Sequence, residues 1–150
     1  MRKNKRILFV CTGNTCRSPM AEIILKSKLK LAGVDSVKVS SAGLNASVGD
    51  KISKNSLAAL KQLGYKGYAF KSKQLTAEMI RKADLIICMT ERHKLCLQGY
   101  KNVLSMAEIT GLGDVIDPYG GDLSVYISTS YQIEDACNVI LNEILQQKGE

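Results

Sequence analysis

Residues Arg6 to Glu22, R-I-L-F-V-C-T-G-N-T-C-R-S-P-M-A-E, restrict this chain more than any other stretch. Ile7 to Val10 is a short apolar run of the length of a buried strand. Gly13 and Asn14 then tolerate the backbone angles of a tight turn. Ser18-Pro19 reads as a helix start, with Ser18 as N-cap and Pro19 in the first helical position. A strand, a short loop and a helix in succession aim backbone N–H groups into the loop and favour an anion at the helix N-terminus.

Cys11 and Arg17 lie inside that loop, with five residues between them. A thiol among such N–H groups, at the positive end of a helix and beside a guanidinium, ionises readily. The same groups suit a phosphate dianion, with Arg17 as a bidentate fork. One loop can thus supply a nucleophile and an anion cradle. It is not the glycine-rich nucleotide loop, because no Lys follows the glycine and the first residue is a Cys. A bland alternative makes Cys11 a buried strand-end thiol and Arg17 a surface charge. The strand before, the Gly-Asn within and the Ser-Pro after weigh against it.

The rest of the chain continues the alternation. The first helix is expected from Pro19 to Ala32, with Gly33 as its stop and Ala21, Ile24, Leu25, Leu29 and Ala32 on its inner face. Val37–Ser40 reads as a strand ended by Ser41-Ala42-Gly43. Ser53 caps a short helix to about Leu63, and Thr76 caps another. Ala83–Met89 is apolar throughout, the pattern of a strand covered on both faces. Lys101–Leu104 reads as a last, weaker strand. A glycine-rich loop spans Gly111–Gly121, and long loops in compact domains are usually functional. A C-terminal helix follows from about Leu123 to Gln147, its buried stripe formed by Ile133, Ala136, Cys137, Ile140 and Ile144. Such alternation implies a parallel sheet with helices on both faces, an α/β class. Ligands of such sheets sit beyond the carboxyl ends of the strands, which puts Ser41 beside the Cys11 loop.

With 150 residues the chain is expected to form one domain across 1–150. The start, 1–6, is basic, but the apolar run after it is too short for a signal peptide, and no segment reaches membrane-spanning length. A cytoplasmic protein without a membrane partner is the expectation. Five cysteines, an odd number, suit reduced thiols. Cys88, Cys96 and Cys137 read as core residues. The single histidine, His93, stands between Arg92 and Lys94 and reads as surface. One histidine and no Cys-x-x-Cys pair argue against a metal site, and no cofactor is implied. The net charge of +7 is scattered, and six Tyr and two Phe offer little base stacking, which argues against nucleic acid.

V-C-T-G-N-T-C-R-S-P-M-A-E resembles the signature of the low-molecular-weight protein phosphatases. Ser40-Ser41-Ala42-Gly43 and Asp117-Pro118-Tyr119-Gly120-Gly121 match that family's later motifs in order. The resemblance implies a three-layer α/β/α, Rossmann-like phosphotyrosine protein phosphatase I fold with four parallel strands in the order 2-1-3-4. It implies that Cys11 attacks phosphorus and that Arg17 and the loop residues Thr12, Gly13, Asn14, Thr15, Cys16 and Ser18 bind the phosphoryl group. Ser18 would steady the Cys11 sulfur, and Ser41 would brace Asn14.

The leaving group needs a positioned acid. On spacing alone Asp114, Asp117, Asp122 and Glu108 are all candidates; the Asp-Pro resemblance selects Asp117. A carboxyl facing a bound dianion keeps its proton more readily than a free one. Cys16 lies close enough in sequence to trap an oxidised Cys11 as a disulfide, or else simply packs.

The family's phosphotyrosine branch usually carries a bulky apolar residue where Thr15 sits and more aromatic walls around the pocket. Here Tyr119 is expected to supply one such wall to the substrate, but Gly120 follows it and the chain has no Trp. C-T-G-N-T-C-R with D-P-[aromatic]-G-G resembles the branch that acts on phosphoarginine in proteins. The expectation is a phosphatase of phosphorylated proteins, for phosphoarginine ahead of phosphotyrosine, with inorganic phosphate or sulfate fitting the same loop. An arsenate reductase, which would relay electrons through further thiols, and a non-enzymatic phosphate-binding module are the competing classes.

Overall fold

The computed structural model describes residues 5–148; the basic residues before 5 lie outside them. In chain order come β1 (Lys5–Cys11), α1 (Arg17–Leu31), β2 (Val37–Gly43), α2 (Lys54–Gln62), α3 (Ala77–Lys82), β3 (Leu85–Cys88), α4 (Glu91–Leu95), β4 (Val103–Ser105), α5 (Met106–Thr110) and α6 (Leu123–Lys148). The strands form one parallel sheet in the order β2-β1-β3-β4. Placing β1 between β2 and β3 creates the point where the strand order reverses, and clefts in such sheets open there, at the strands' carboxyl ends. Cys11 ends β1 and faces Gly43, the end of β2.

The pleat of β1 sorts its side chains between two cores. Ile7, Phe9 and Cys11 join Met20, Ile24, Leu60, Ile133 and Ile140 under α1, α2 and α6. Leu8 and Val10 join Ala42, Ile86, Cys88 and Leu97 on the other side, with Met79 and Ile80 of α3 packed against them. Phe9 and Val10 are both fully buried, so the strand that carries the loop is pinned from both faces.

Several boundaries differ from expectation. Met20 N donates to Cys16 O, so α1 begins at Arg17 with Cys16 as N-cap, and no side chain caps it. Ser18 is therefore not the N-cap, and Pro19 sits in the third helical position rather than the first. Ala32 is the C-cap of α1 and is exposed, not on its inner face. Cys96, the C-cap of α4, is exposed and not a core residue, whereas Cys88 and Cys137 are buried. The short helix α5, closed by a capping box between Ser105 and Glu108, was not foreseen. Ser53 and Thr76 cap α2 and α3 as expected.

Candidate active site

The loop between β1 and α1 curls around the Cys11 sulfur. Asn14 N donates to Cys11 Sγ at 3.3 Å, and Ser18 Oγ lies 2.8 Å from the same sulfur. Asn14 makes this curl possible: it adopts a left-handed conformation with φ of 57° and is fully buried, a backbone state that Asn accepts better than most residues. Its amide is oriented by Lys73 N, which donates to Oδ1 at 2.8 Å. Nδ2 then donates to both Ser18 Oγ and Ser41 Oγ, each at 2.9 Å. Ser41 Oγ in turn donates to Glu22 Oε1 at 2.8 Å. Because Ser18 accepts from Asn14, its single proton is free to point at the sulfur. Ser41 Oγ thus sits between the Asn14 amide and the Glu22 carboxylate.

Two contributors escaped the sequence reading. Glu22 anchors the far end of this chain of hydrogen bonds; it is buried, bonded also to Tyr68 Oη, and paired with Lys26 Nζ at 3.3 Å. Burial and the Glu22 carboxylate push the Tyr68 hydroxyl well above its ordinary pKa, so Tyr68 stays a donor. Gly43 is the other. A Cβ there would stand 2.6 Å from Thr12 O and 3.0 Å from Asn14 N, so only glycine lets β2 approach the loop this closely. Asn45 N donates to Thr12 O at 2.9 Å from the same side.

Arg17 is buried, and Nη1 donates to Val115 O at 3.1 Å. This bond, with Val115 N to Met89 O at 3.0 Å, ties the glycine-rich loop to the sheet. Arg17 Nη2 lies 3.7 Å from Asp117 Oδ2, while Asp117 Oδ1 accepts from Tyr119 N at 3.1 Å. The Asp117 side chain is 57% exposed, so its carboxyl reaches solvent beside Arg17. The rival carboxylates are otherwise engaged. Glu108 pairs with Lys94, which holds it below its ordinary range. Asp122 accepts from Ser124 and Val125 N at the start of α6, and the Ser124 hydroxyl likewise lowers its pKa. Asp114 Oδ1 accepts from Glu91 N at 3.0 Å. Asp117 is the carboxylate paired with Arg17.

Thr15 is half-buried, its carbonyl accepting from Ser53 N at 2.8 Å. Cys16 Sγ lies 3.5 Å from Ser53 Oγ and 3.8 Å from Tyr126 Oη. Thr12 and Tyr119 are exposed and Gly13 half-buried; Tyr119, 84% exposed, stands at the rim. His93 corrects the sequence reading. It is buried, not surface, and its Nε2 lies 2.9 Å from Thr12 Oγ1. Burial and the nearby Arg17 push its pKa down to about 4. The arsenate-reductase reading loses a relay thiol, because Cys88 is buried and burial pushes its pKa up to about 12.

The family model described as low molecular weight phosphotyrosine protein phosphatase matches residues 6–150. A protein-arginine-phosphatase of Bacillus subtilis (strain 168) is 37% identical over 95% of this chain and 98% of its own length. A low molecular weight protein-tyrosine-phosphatase, PtpB, of Staphylococcus haemolyticus (strain JCSC1435) is 37% identical over 85% of this chain and 91% of its own. The solved structure of a YwlE arginine phosphatase mutant with a phosphorylated active site serine superposes with a TM-score of 0.87 at 36% identity, over 93% of this chain and 95% of that one. Fold, strand order and motifs agree with these matches: the chain belongs to the low molecular weight phosphotyrosine protein phosphatase family.

Proposed function

We propose that the protein hydrolyses phosphoarginine in phosphorylated proteins, with Cys11 as nucleophile, Asp117 as acid and base, and Arg17 with the loop N–H groups as phosphoryl binders. The observation that carries the chemistry is the Ser18 Oγ–Cys11 Sγ contact at 2.8 Å, with Asn14 occupying the acceptor side of the hydroxyl. Ser18 and Asn14 N both offer protons to the sulfur, the arrangement an attacking and departing thiolate needs.

The sulfur attacks phosphorus, and the P–N bond to the substrate guanidinium breaks as the S–P bond forms. Asp117 delivers its proton to the departing nitrogen, so arginine leaves as a protonated guanidinium and Asp117 is left as a carboxylate. Negative charge on the equatorial oxygens is met by Arg17 and by N–H groups at the start of α1, where no side chain caps the helix. Water then attacks the phosphocysteine, Asp117 takes its proton, the S–P bond breaks, and orthophosphate and the Cys11 thiolate are released. Inorganic phosphate or sulfate would occupy the same cradle.

Phosphoarginine is favoured over phosphotyrosine by Thr15, a hydroxyl where an aromatic substrate prefers an apolar wall, and by the arginine-phosphatase name of a relative matched over nearly its whole length. Among the described residues no helix is long and apolar enough to cross a membrane. We place the enzyme in the cytoplasm, where the free thiols Cys11, Cys16, Cys88, Cys96 and Cys137 stay reduced. The test is kcat/KM on matched phosphoarginine and phosphotyrosine peptides. A preference for phosphoarginine that Thr15→Ile shifts toward phosphotyrosine supports the reading. A wild-type preference for phosphotyrosine rejects it.

A further inference from the structure

We propose that His93 is a positioning residue of the phosphate loop: its Nε2–Thr12 Oγ1 hydrogen bond fixes the first residue after Cys11 against α4, the same element that holds the acid loop. The inference rests on the phosphatase reading and adds to it a contact that sets the nucleophile and the acid in one frame.

Thr12 is exposed, and an exposed threonine hydroxyl is ordinarily a free rotor. Here it meets a buried imidazole 81 residues away in sequence, at 2.9 Å. Thr12 is also held by β2 and the turn after it, through the close approach of Gly43 and Asn45 N on its carbonyl. His93 therefore completes a clamp on the residue that follows the nucleophile.

The other end of α4 reaches the acid loop. Thr90 Oγ1 caps the helix by accepting from His93 N at 3.1 Å. Glu91 N donates to Asp114 Oδ1 at 3.0 Å, and Glu91 Oε1 accepts from Ser105 Oγ at 2.5 Å. Asp114 lies three residues before Asp117, and Val115 between them carries the bond to Arg17. One short helix thus touches the phosphate loop through His93 and the acid loop through Glu91.

The imidazole also carries a cost that packing alone does not explain. His93 Nδ1 is buried with no hydrogen-bond partner among the described residues. A buried unpaired polar atom in a folded protein calls for a reason, since an apolar side chain of similar shape would avoid it. Burial and Arg17 keep the ring neutral near pH 7, with one nitrogen able to donate and the other to accept. Asp114 and Asp117, the nearby carboxylates, oppose that shift without overcoming it.

The test uses the full chain and p-nitrophenyl phosphate, so it does not depend on which phosphorylated residue is the natural substrate. Turnover by the wild type establishes the phosphatase chemistry separately from the role of His93. Thr12→Val, a change at an exposed position, should lower kcat about five- to tenfold, the worth of one ordinary hydrogen bond. His93→Leu should do the same, and the double variant should fall no further than either single one. His93→Gln, whose amide reaches the Nε2 position, should recover most of kcat. The Thr12→Val protein should lose no more than about 2–6 °C of thermal midpoint, the cost of one hydrogen bond, and stay folded in the assay. Additive losses in the double variant, equal kcat in His93→Gln and His93→Leu, or a change in the thermal midpoint alone with kcat intact would overturn the proposal.

Discussion

Ser18 Oγ lies 2.8 Å from Cys11 Sγ, while Asn14 Nδ2 donates to that same oxygen at 2.9 Å. The direction of the serine proton is therefore set by an asparagine that is itself oriented by Lys73 N. Ser18→Ala removes a donor to the sulfur and leaves Asn14 Nδ2 with Ser41 as its remaining partner of the two. The expected loss in kcat is about ten- to a hundredfold, the range for a hydrogen bond to a charged group. Pre-steady-state kinetics should locate the loss in both formation and breakdown of the phosphocysteine. KM should move little, because the serine does not bind the leaving group.

Gly43→Ala should be more damaging than its size suggests. The new methyl would press on Thr12 O at 2.6 Å and on Asn14 N at 3.0 Å, both backbone atoms of the loop. Overpacking of this kind costs about 1–3 kcal/mol. The loop must move to relieve it, so chemical denaturation should show the lost stability and kcat should fall with it. An alanine variant with unchanged stability and rate would mean that the loop and β2 are not held as closely as the geometry requires.

Acid stability should carry the mark of His93. Its pKa is held near 4 in the folded protein, against an ordinary value of 6.5, by burial and by Arg17. Between those values the unfolded chain binds a proton that the folded chain refuses, so folding stability rises with pH across that window. Stability should be lost as pH falls from about 6.5 toward 4. Denaturant titrations of wild type and His93→Gln at a series of pH values check this: the wild type should lose stability relative to the variant as the pH drops through the window.

Short-range chemistry made the start of the chain legible. The apolar run of β1, the Gly13-Asn14 turn and the Cys11–Arg17 spacing lie within a few residues of one another, and the structure assembles them as one loop. The strand order β2-β1-β3-β4 came from the family resemblance, since alternation alone does not fix it. The Ser18-Pro19 boundary misled because the loop closes onto Cys16 O one residue pair earlier, which frees the serine for the sulfur. His93 was illegible for a different reason. Its neighbours Arg92 and Lys94 are charged, a five-residue helix shows no period, and its hydrogen-bond partner Thr12 is far away in sequence. Gly43 was visible within its motif, but its purpose lies in an approach between backbones that no local pattern encodes.

The central claim is that Cys11 carries the phosphoryl group, and the most direct measurement is rapid quenching of Asp117→Ala with p-nitrophenyl phosphate, followed by mass spectrometry of its peptides. An aryl phosphate leaves without much help from the acid, whereas hydrolysis of the intermediate still needs a base. The account predicts a burst of nitrophenolate and one phosphoryl group on the peptide that contains Cys11. A phosphoryl group on another residue, or turnover that persists in Cys11→Ala without any burst, would contradict it.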